Sequence, residues 1–201
     1  MGNNVRIITI SREFGSGGRS VAKMVAEKLE IGYYDKELVK QVASETGFDQ
    51  AYVEQAGEYA PEKSSFTCAF SSNATLGALN GMSVDDFLWV IQRKIILQLA
   101  EKGPAVIVGR CADYILKERG DCFNVFIHAS MAARADRIVH LYGETDKRPE
   151  KRLEEKDKKR KLYYRHYTNQ EWGMSQNYNL SLDSSFIGVE KCAEIITVLA
   201  K

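Results

Sequence analysis

The feature that most constrains this chain lies near its N-terminus: Ile7-Ile8-Thr9-Ile10-Ser11-Arg12-Glu13-Phe14-Gly15-Ser16-Gly17-Gly18-Arg19-Ser20. Val5 to Ile10 is apolar and rich in β-branched residues, which predicts a buried strand. That strand stops at a polar turn holding Gly15, Gly17 and Gly18. From Ser20 to Leu29, apolar residues recur at Val21, Ala22, Val25, Ala26 and Leu29, the spacing of one helix face. Strand, glycine turn, helix is the setting in which a glycine-rich loop cradles phosphate. Glycine admits positive φ and close backbone approach, so successive N–H groups face one concavity. The helix start adds a positive partial charge. An anion is the expected occupant.

The loop departs from the usual G-x-x-x-x-G-K-[ST] pattern. With Gly17 as the second motif glycine, Arg12 stands at the first glycine position and Gly18 at the lysine position. Ser20 falls one place beyond the usual hydroxyl. Arg19 and Arg12 are the cations placed to supply the missing charge, and guanidinium binds phosphate bidentately.

The rest of the chain reads as alternating strands and helices. Ile31 to Tyr34 is a short strand ending at Asp35, followed by helical pattern to about Tyr59, punctuated by Gly47 and re-capped by Asp49. Glu62 to Ser83 is rich in Ser, Thr, Asn and Gly without periodicity, and is expected to be a mobile loop, either a plain surface loop or a substrate-side flap. Ser83 caps a core helix that ends at Gly103-Pro104. Strands follow at 105–108, 123–127 and 178–182, with helices at 132–141 and 189–199. Such alternation implies a parallel, helix-covered sheet with right-handed crossovers and ligand at the C-terminal strand ends. Ser11, Arg12, Asp35, Gly109, Arg110, His128 and Asp183 follow strands and are gathered there.

Charge is unevenly distributed. The chain carries a net +1, while Glu144 to Tyr167 holds ten Lys/Arg against six acids. That segment reads either as a solvated helix with pairs such as Glu155–Lys159, or as a lid closing arginines over transferring phosphates. The four cysteines (Cys68, Cys111, Cys122, Cys192) form no C-x-x-C pair and favour free thiols in a reducing cytoplasm. The three histidines lack metal-ligand spacing. No apolar run nears the ~18 residues of a membrane span, and Met1 to Asn4 leads straight into a strand without an export segment. Neither nucleic acid nor membrane is an expected partner. Monomer and homodimer both stay open.

Ile8 to Arg19, then Gly32-Tyr33-Tyr34-Asp35-Lys36-Glu37-Leu38, resembles the opening of the cytidylate kinase-like proteins, a branch of the P-loop nucleoside monophosphate kinases. Weaker matches follow in order at Val106–Arg110, Val125–Ser130, Asp157–Arg160 and Tyr178–Leu180. The resemblance implies one domain over residues 1–201 with a three-layer α/β/α P-loop NTPase fold. Its five-stranded parallel sheet would run in the order 2-3-1-4-5, with an acceptor-side segment at about 35–83 and a helical lid at about 143–168. It implies ATP and Mg²⁺ as cofactors and a nucleoside monophosphate, CMP-like, as acceptor. Phosphates would lie on Arg12, Gly15, Ser16, Gly17, Gly18, Arg19 and Ser20, with Ser20 ligating Mg²⁺ directly or through water. Arg19, Arg110, Asp157 and Arg160 would be catalytic; Asp35, Arg110, Arg134 and Arg137 would hold the acceptor. Gln41 stands where true cytidylate kinases carry an arginine, and Val108 where they carry an aspartate. Two further readings are therefore kept: a nucleotide- or phosphate-binding regulatory protein without transfer, and a kinase for a non-nucleotide metabolite.

Overall fold

In a computed structural model the described residues are 5–58 and 82–201. The segment from Glu62 to Gly81, expected above to be mobile, and Cys68 lie outside them. Five strands form one parallel sheet, β1 (Ile7–Arg12), β2 (Gly32–Tyr34), β3 (Ala105–Val108), β4 (Cys122–His128) and β5 (Leu180–Asp183), in the order β2-β3-β1-β4-β5. β1 is the central strand, paired with β3 from Ile7↔Ala105 and with β4 through Arg12↔Ile127. It runs two residues past the apolar stretch because Ser11 and Arg12 still have a partner in β4.

The helices among the described residues are α1 (Gly18–Leu29), α2 (Lys36–Thr46), α3 (Gln50–Ala56), α4 (Val84–Lys102), α5 (Ala112–Ile115), α6 (Met131–Tyr142), α7 (Pro149–Thr168), α8 (Ser184–Ile187) and α9 (Val189–Leu199), with a 3-10 turn at Ser175–Asn177. Local chemistry sets their ends. Asp49 accepts from the N–H groups of Ala51 and Tyr52, Ser83 from Asp86, and Gly47 closes α2 with φ 72°.

Alternation along the strands divides the core into two layers. Ile7, Ala105 and Ile107 face α2, α3 and α4, against Leu38, Val42, Leu88, Ile95 and Leu99. Ile8, Ile10, Val106, Val108, Val125 and Ile127 face α1 and α9, against Val21, Val25, Cys192 and Ile196. Burying each such branched side chain contributes about 1.5–3 kcal/mol. The result is the three-layer α/β/α P-loop arrangement.

The basic helix α7 docks with few apolar groups. Leu153 packs on Ala135 and Ile138 of α6, while Tyr163 and Tyr164 join Cys111. Trp89 stacks on Tyr167 with ring centres 4.3 Å apart. Glu155 pairs with Lys147 at 2.6 Å, eight residues back and outside the helix.

Candidate active site

The glycine turn joins β1 to α1 at the C-terminal edge of the sheet. Gly15 and Gly17 take φ 80° and 79°, which side chains resist. A Cβ at Gly15 would also press at 3.0 Å on the Arg134 carbonyl oxygen and on Ile138. The turn is tied down from beneath. The Ser16 hydroxyl donates to the Glu13 carbonyl at 2.9 Å, the Ser184 hydroxyl donates to the Ser16 carbonyl at 2.5 Å, and Glu13 accepts from the Ala129 N–H at 3.1 Å. Ser16 is thus buried and offers the loop its backbone. α1 starts with no side-chain cap on its first N–H groups, and Ser20 is exposed in its first turn. That is the polarity an anion needs.

Arginines converge on this turn from four elements. Arg137 of α6 reaches the Gly15 carbonyl at 3.4 Å. Arg134 lies beneath the loop, donating to Asp157 at 2.5 Å and facing Glu13 at 3.4 Å. Asp157 in turn accepts from the Phe14 N–H at 2.8 Å, so one carboxylate joins α6, α7 and the loop. Arg160, one turn along α7, donates to the Arg12 carbonyl at 3.1 Å and lies over the Phe14 ring. Arg19 turns away from the loop to Asp35 at 3.0 Å and approaches Glu54 at 3.7 Å. Arg12 is buried and paired with Glu58, whose carboxylate also lies 3.4 Å from Arg160. Arg110 donates to Gln92 at 3.0 Å and adds a third guanidinium near Glu58. Burial alone would raise the Glu58 pKa, but Arg12, Arg160 and Arg110 hold it far below the usual carboxylate range.

Two cavities meet here. The smaller lies over the glycine loop and is lined by Gly15, Gly17, Gly18, Ser20 and Arg137. The larger, about 620 Å³, lies between α3, the loop and α7, and its wall includes Ala51, Glu54, Gln55, Arg152, Lys156 and Lys159. Phe14, Arg19, Tyr142 and Arg160 border both. Phe14 and Tyr142 stack with centres 6.0 Å apart, forming a flat apolar platform. Partial burial, then the nearby Lys159 and Arg160, push the Lys156 ammonium pKa down, while the residue stays exposed to solvent.

Of the residues singled out from sequence, the structure therefore brings Arg12, Gly15, Gly17, Gly18, Arg19, Ser20, Arg137 and Arg160 around one loop cavity. Arg134 and Asp157 latch its floor to α7, Asp35 holds Arg19, and Arg110 lies apart beside Gln92. Sequence reasoning missed Glu13, Phe14, Tyr142, Glu54, Lys156, Lys159 and Glu58. Lys156, Lys159 and Arg160 share one helix face, a spacing that could have been read. Glu58 gave no signal, because its partners lie 46 and 102 residues away. No group of three His, Cys, Asp or Glu among the described residues is placed to hold a metal. Ser20 is the hydroxyl available to a phosphate-bound Mg²⁺, which keeps most of its waters in such sites. No helix among the described residues is long and apolar enough to cross a membrane.

A five-stranded parallel sheet of this order, with a glycine loop leading into α1, defines the P-loop kinase class of fold. The chain belongs to the cytidylate kinase-like family, whose sequence profile matches residues 7–186. A solved protein from Eubacterium ventriosum ATCC 27560, described as uncharacterized, is similar at 28% identity with TM-score 0.72, over 96% of this chain and 97% of that one. Shikimate kinase from Acinetobacter baumannii, solved with shikimate, shares the fold at 14% identity and TM-score 0.55, covering 98% and 93% of the two chains. The tunicamycin resistance protein of Deinococcus radiodurans does so at 14% identity and TM-score 0.52, covering 96% and 94%. No curated protein matches the chain.

Proposed function

We propose that this protein is an ATP-dependent phosphotransferase that phosphorylates a nucleoside monophosphate, CMP-like in class. One observation carries the reading: a loop cavity and a larger basic cavity share a border of Phe14, Arg19, Tyr142 and Arg160. Transfer between two bound substrates needs such abutting sites, because aligning donor and acceptor is most of the work. Bound ATP with Mg²⁺ supplies the transferable phosphoryl group. The loop N–H groups and the start of α1 bind its phosphates, and Ser20 contacts the metal directly or through water. Arg160 and Arg19, at the junction, neutralise the charge that develops on the moving group. Arg137 holds the loop from the α6 side. Asp157 keeps α7 closed on the loop and excludes water. The Phe14–Tyr142 platform and the Lys156–Lys159 face receive a flat, anionic acceptor.

A second reading is favoured by a specific observation. The lysine position is Gly18, while Arg12 is paired with Glu58 and Arg19 with Asp35. A protein that binds nucleotide without transferring phosphate would tolerate that arrangement. ADP formation with Mg²⁺ across a panel of nucleoside monophosphates and small hydroxylated metabolites separates the readings. Turnover that depends on CMP or UMP supports the kinase. Turnover with a metabolite alone moves the acceptor class, and nucleotide binding without turnover supports the regulatory reading. No ATP binding at all would remove both.

A further inference from the structure

A cavity of about 370 Å³ opens between α4, α5 and the C-terminal end of α7. It shares no wall residue with the two cavities at the glycine loop, and no phosphotransfer step above uses it. Its volume falls in the range of small-molecule sites, about 300–1,000 Å³. Three half-buried rings line it, one from each helix: Trp89, Tyr114 and Tyr167. Trp89 and Tyr167 lie within 8° of parallel, and the buried Tyr163 packs edge-on against both. Flat rings whose planes are fixed by packing suit a flat ligand, because stacking on them requires no ordering of the wall.

Aromatic walls also attract cations, so the charge at the mouth decides what enters. Arg93, one turn along α4 from Trp89, is exposed and makes no ion pair or hydrogen bond among the described residues. Lys117 already covers the Tyr114 ring, its nitrogen 4.3 Å from the ring centre, and lies 3.9 Å from Glu118. With Glu118 set against Lys117, the Arg93 charge is in excess. A ligand cation would be repelled by both Arg93 and Lys117, whereas a carboxylate or phosphate fits the guanidinium fork.

We propose that this cavity is a second ligand site, separate from phosphotransfer, for a planar aromatic anion: a ring carrying a carboxylate or a phosphate. The ring stacks on the wall of Trp89 and Tyr167, and Arg93 holds the anionic group. That wall is joined to the strand ends. Tyr163, packed on both rings, accepts from Gln92 at 3.1 Å, and Gln92 accepts from Arg110 at 3.0 Å.

The test uses full-length protein and four probes: naphthoate, naphthyl phosphate, neutral naphthol and tetramethylammonium. Calorimetric titration should show both anions binding, with naphthol at least about tenfold weaker. Arg93→Ala should weaken both anions by about tenfold or more, leaving naphthol affinity and thermal unfolding unchanged. Trp89→Leu should weaken all three aromatic probes by about tenfold. Absence of anion binding, equal affinity for naphthol and the anions, anion binding that Arg93→Ala leaves unmoved, or a preference for tetramethylammonium would each overturn the proposal. If Trp89→Leu does not fold, Arg93→Ala decides alone. Titration with CMP assigns the source of the anion. A CMP site that Arg93→Ala removes points to a nucleotide; CMP binding unmoved by Arg93→Ala, with naphthoate binding still lost, points to an aromatic acid. Either result supports the proposal.

Discussion

At the scale of single residues, the glycine loop is informative for what its spacing excludes. A Cβ at Gly18 would collide with the Arg12 side chain, so the usual lysine position is closed by the residue at the usual first-glycine position. The two departures from the motif are therefore one packing solution. Restoring the motif lysine alone should fail. Gly18→Lys is expected to lower stability by about 1–3 kcal/mol through overpacking, without tightening nucleotide binding; thermal unfolding and an ATP titration check both. In the proposed transfer, the charge falls instead to Arg160. Arg160→Ala should reduce kcat/KM by about 10²–10³-fold, with most of the loss in kcat, as read from steady-state ADP formation. Arg160→Lys should recover little, because it loses the fork that spans the Arg12 carbonyl and Glu58.

At the scale of elements, α7 is a long helix that docks through few apolar groups. Its first half is held by Leu153 against α6 and by Asp157 against the loop. Leu153→Ala should cost about 2–5 kcal/mol through the cavity it leaves. Asp157→Asn should act differently. It keeps the apolar contact but weakens the bond from Arg134, which is charge-assisted. Exchange of amides in residues 149–160 should then quicken several-fold while circular dichroism stays unchanged, and the KM for ATP should rise. The helix itself was legible in sequence: Pro149 at its start and the Lys/Arg run mark it out. Its two closing contacts were not: the family pattern marked Asp157 as catalytic, but not as the partner of Arg134 and the Phe14 N–H, which lie 23 and 143 residues away.

At the scale of the whole molecule, buried carboxylates give stability opposite pH dependences. Burial pushes Asp113 up to about 6, against the hydrogen bond it accepts from Tyr164 at 2.6 Å. Its folded pKa is raised above the unfolded value, so the native state binds the proton more tightly. Its contribution is present below about pH 4 and is lost as pH rises through about 6. Glu58 runs the other way. Its depressed folded pKa means that its contribution is present above the unfolded value and is lost in acid. Asp113→Asn should remove the first dependence only. Relative to wild type, the variant should gain stability by on the order of 3 kcal/mol between about pH 4 and pH 6, measured by denaturant unfolding at several pH values. A difference between the two proteins that is flat across that window would contradict the burial argument.

What the amino-acid sequence determined by itself is the ordered set of elements and the class of site. Apolar periodicity, capping residues and glycines act over a few neighbours, so β1, the turn at Gly15–Gly18, α1 and the closing helix Val189–Leu199 are all written locally. Sheet order followed from the family pattern and from the rule that parallel strands need crossovers. Tertiary structure alone decided which charges meet. Arg12 finds Glu58, Phe14 finds Asp157 and Ser184 finds Ser16 across separations of 46, 143 and 168 residues. A charged side chain has no periodic signature, and its partner is fixed only when the sheet brings distant strand ends to one edge. That edge placed Arg19 on Asp35 and brought Arg12, Arg110 and Arg160 around the Glu58 carboxylate.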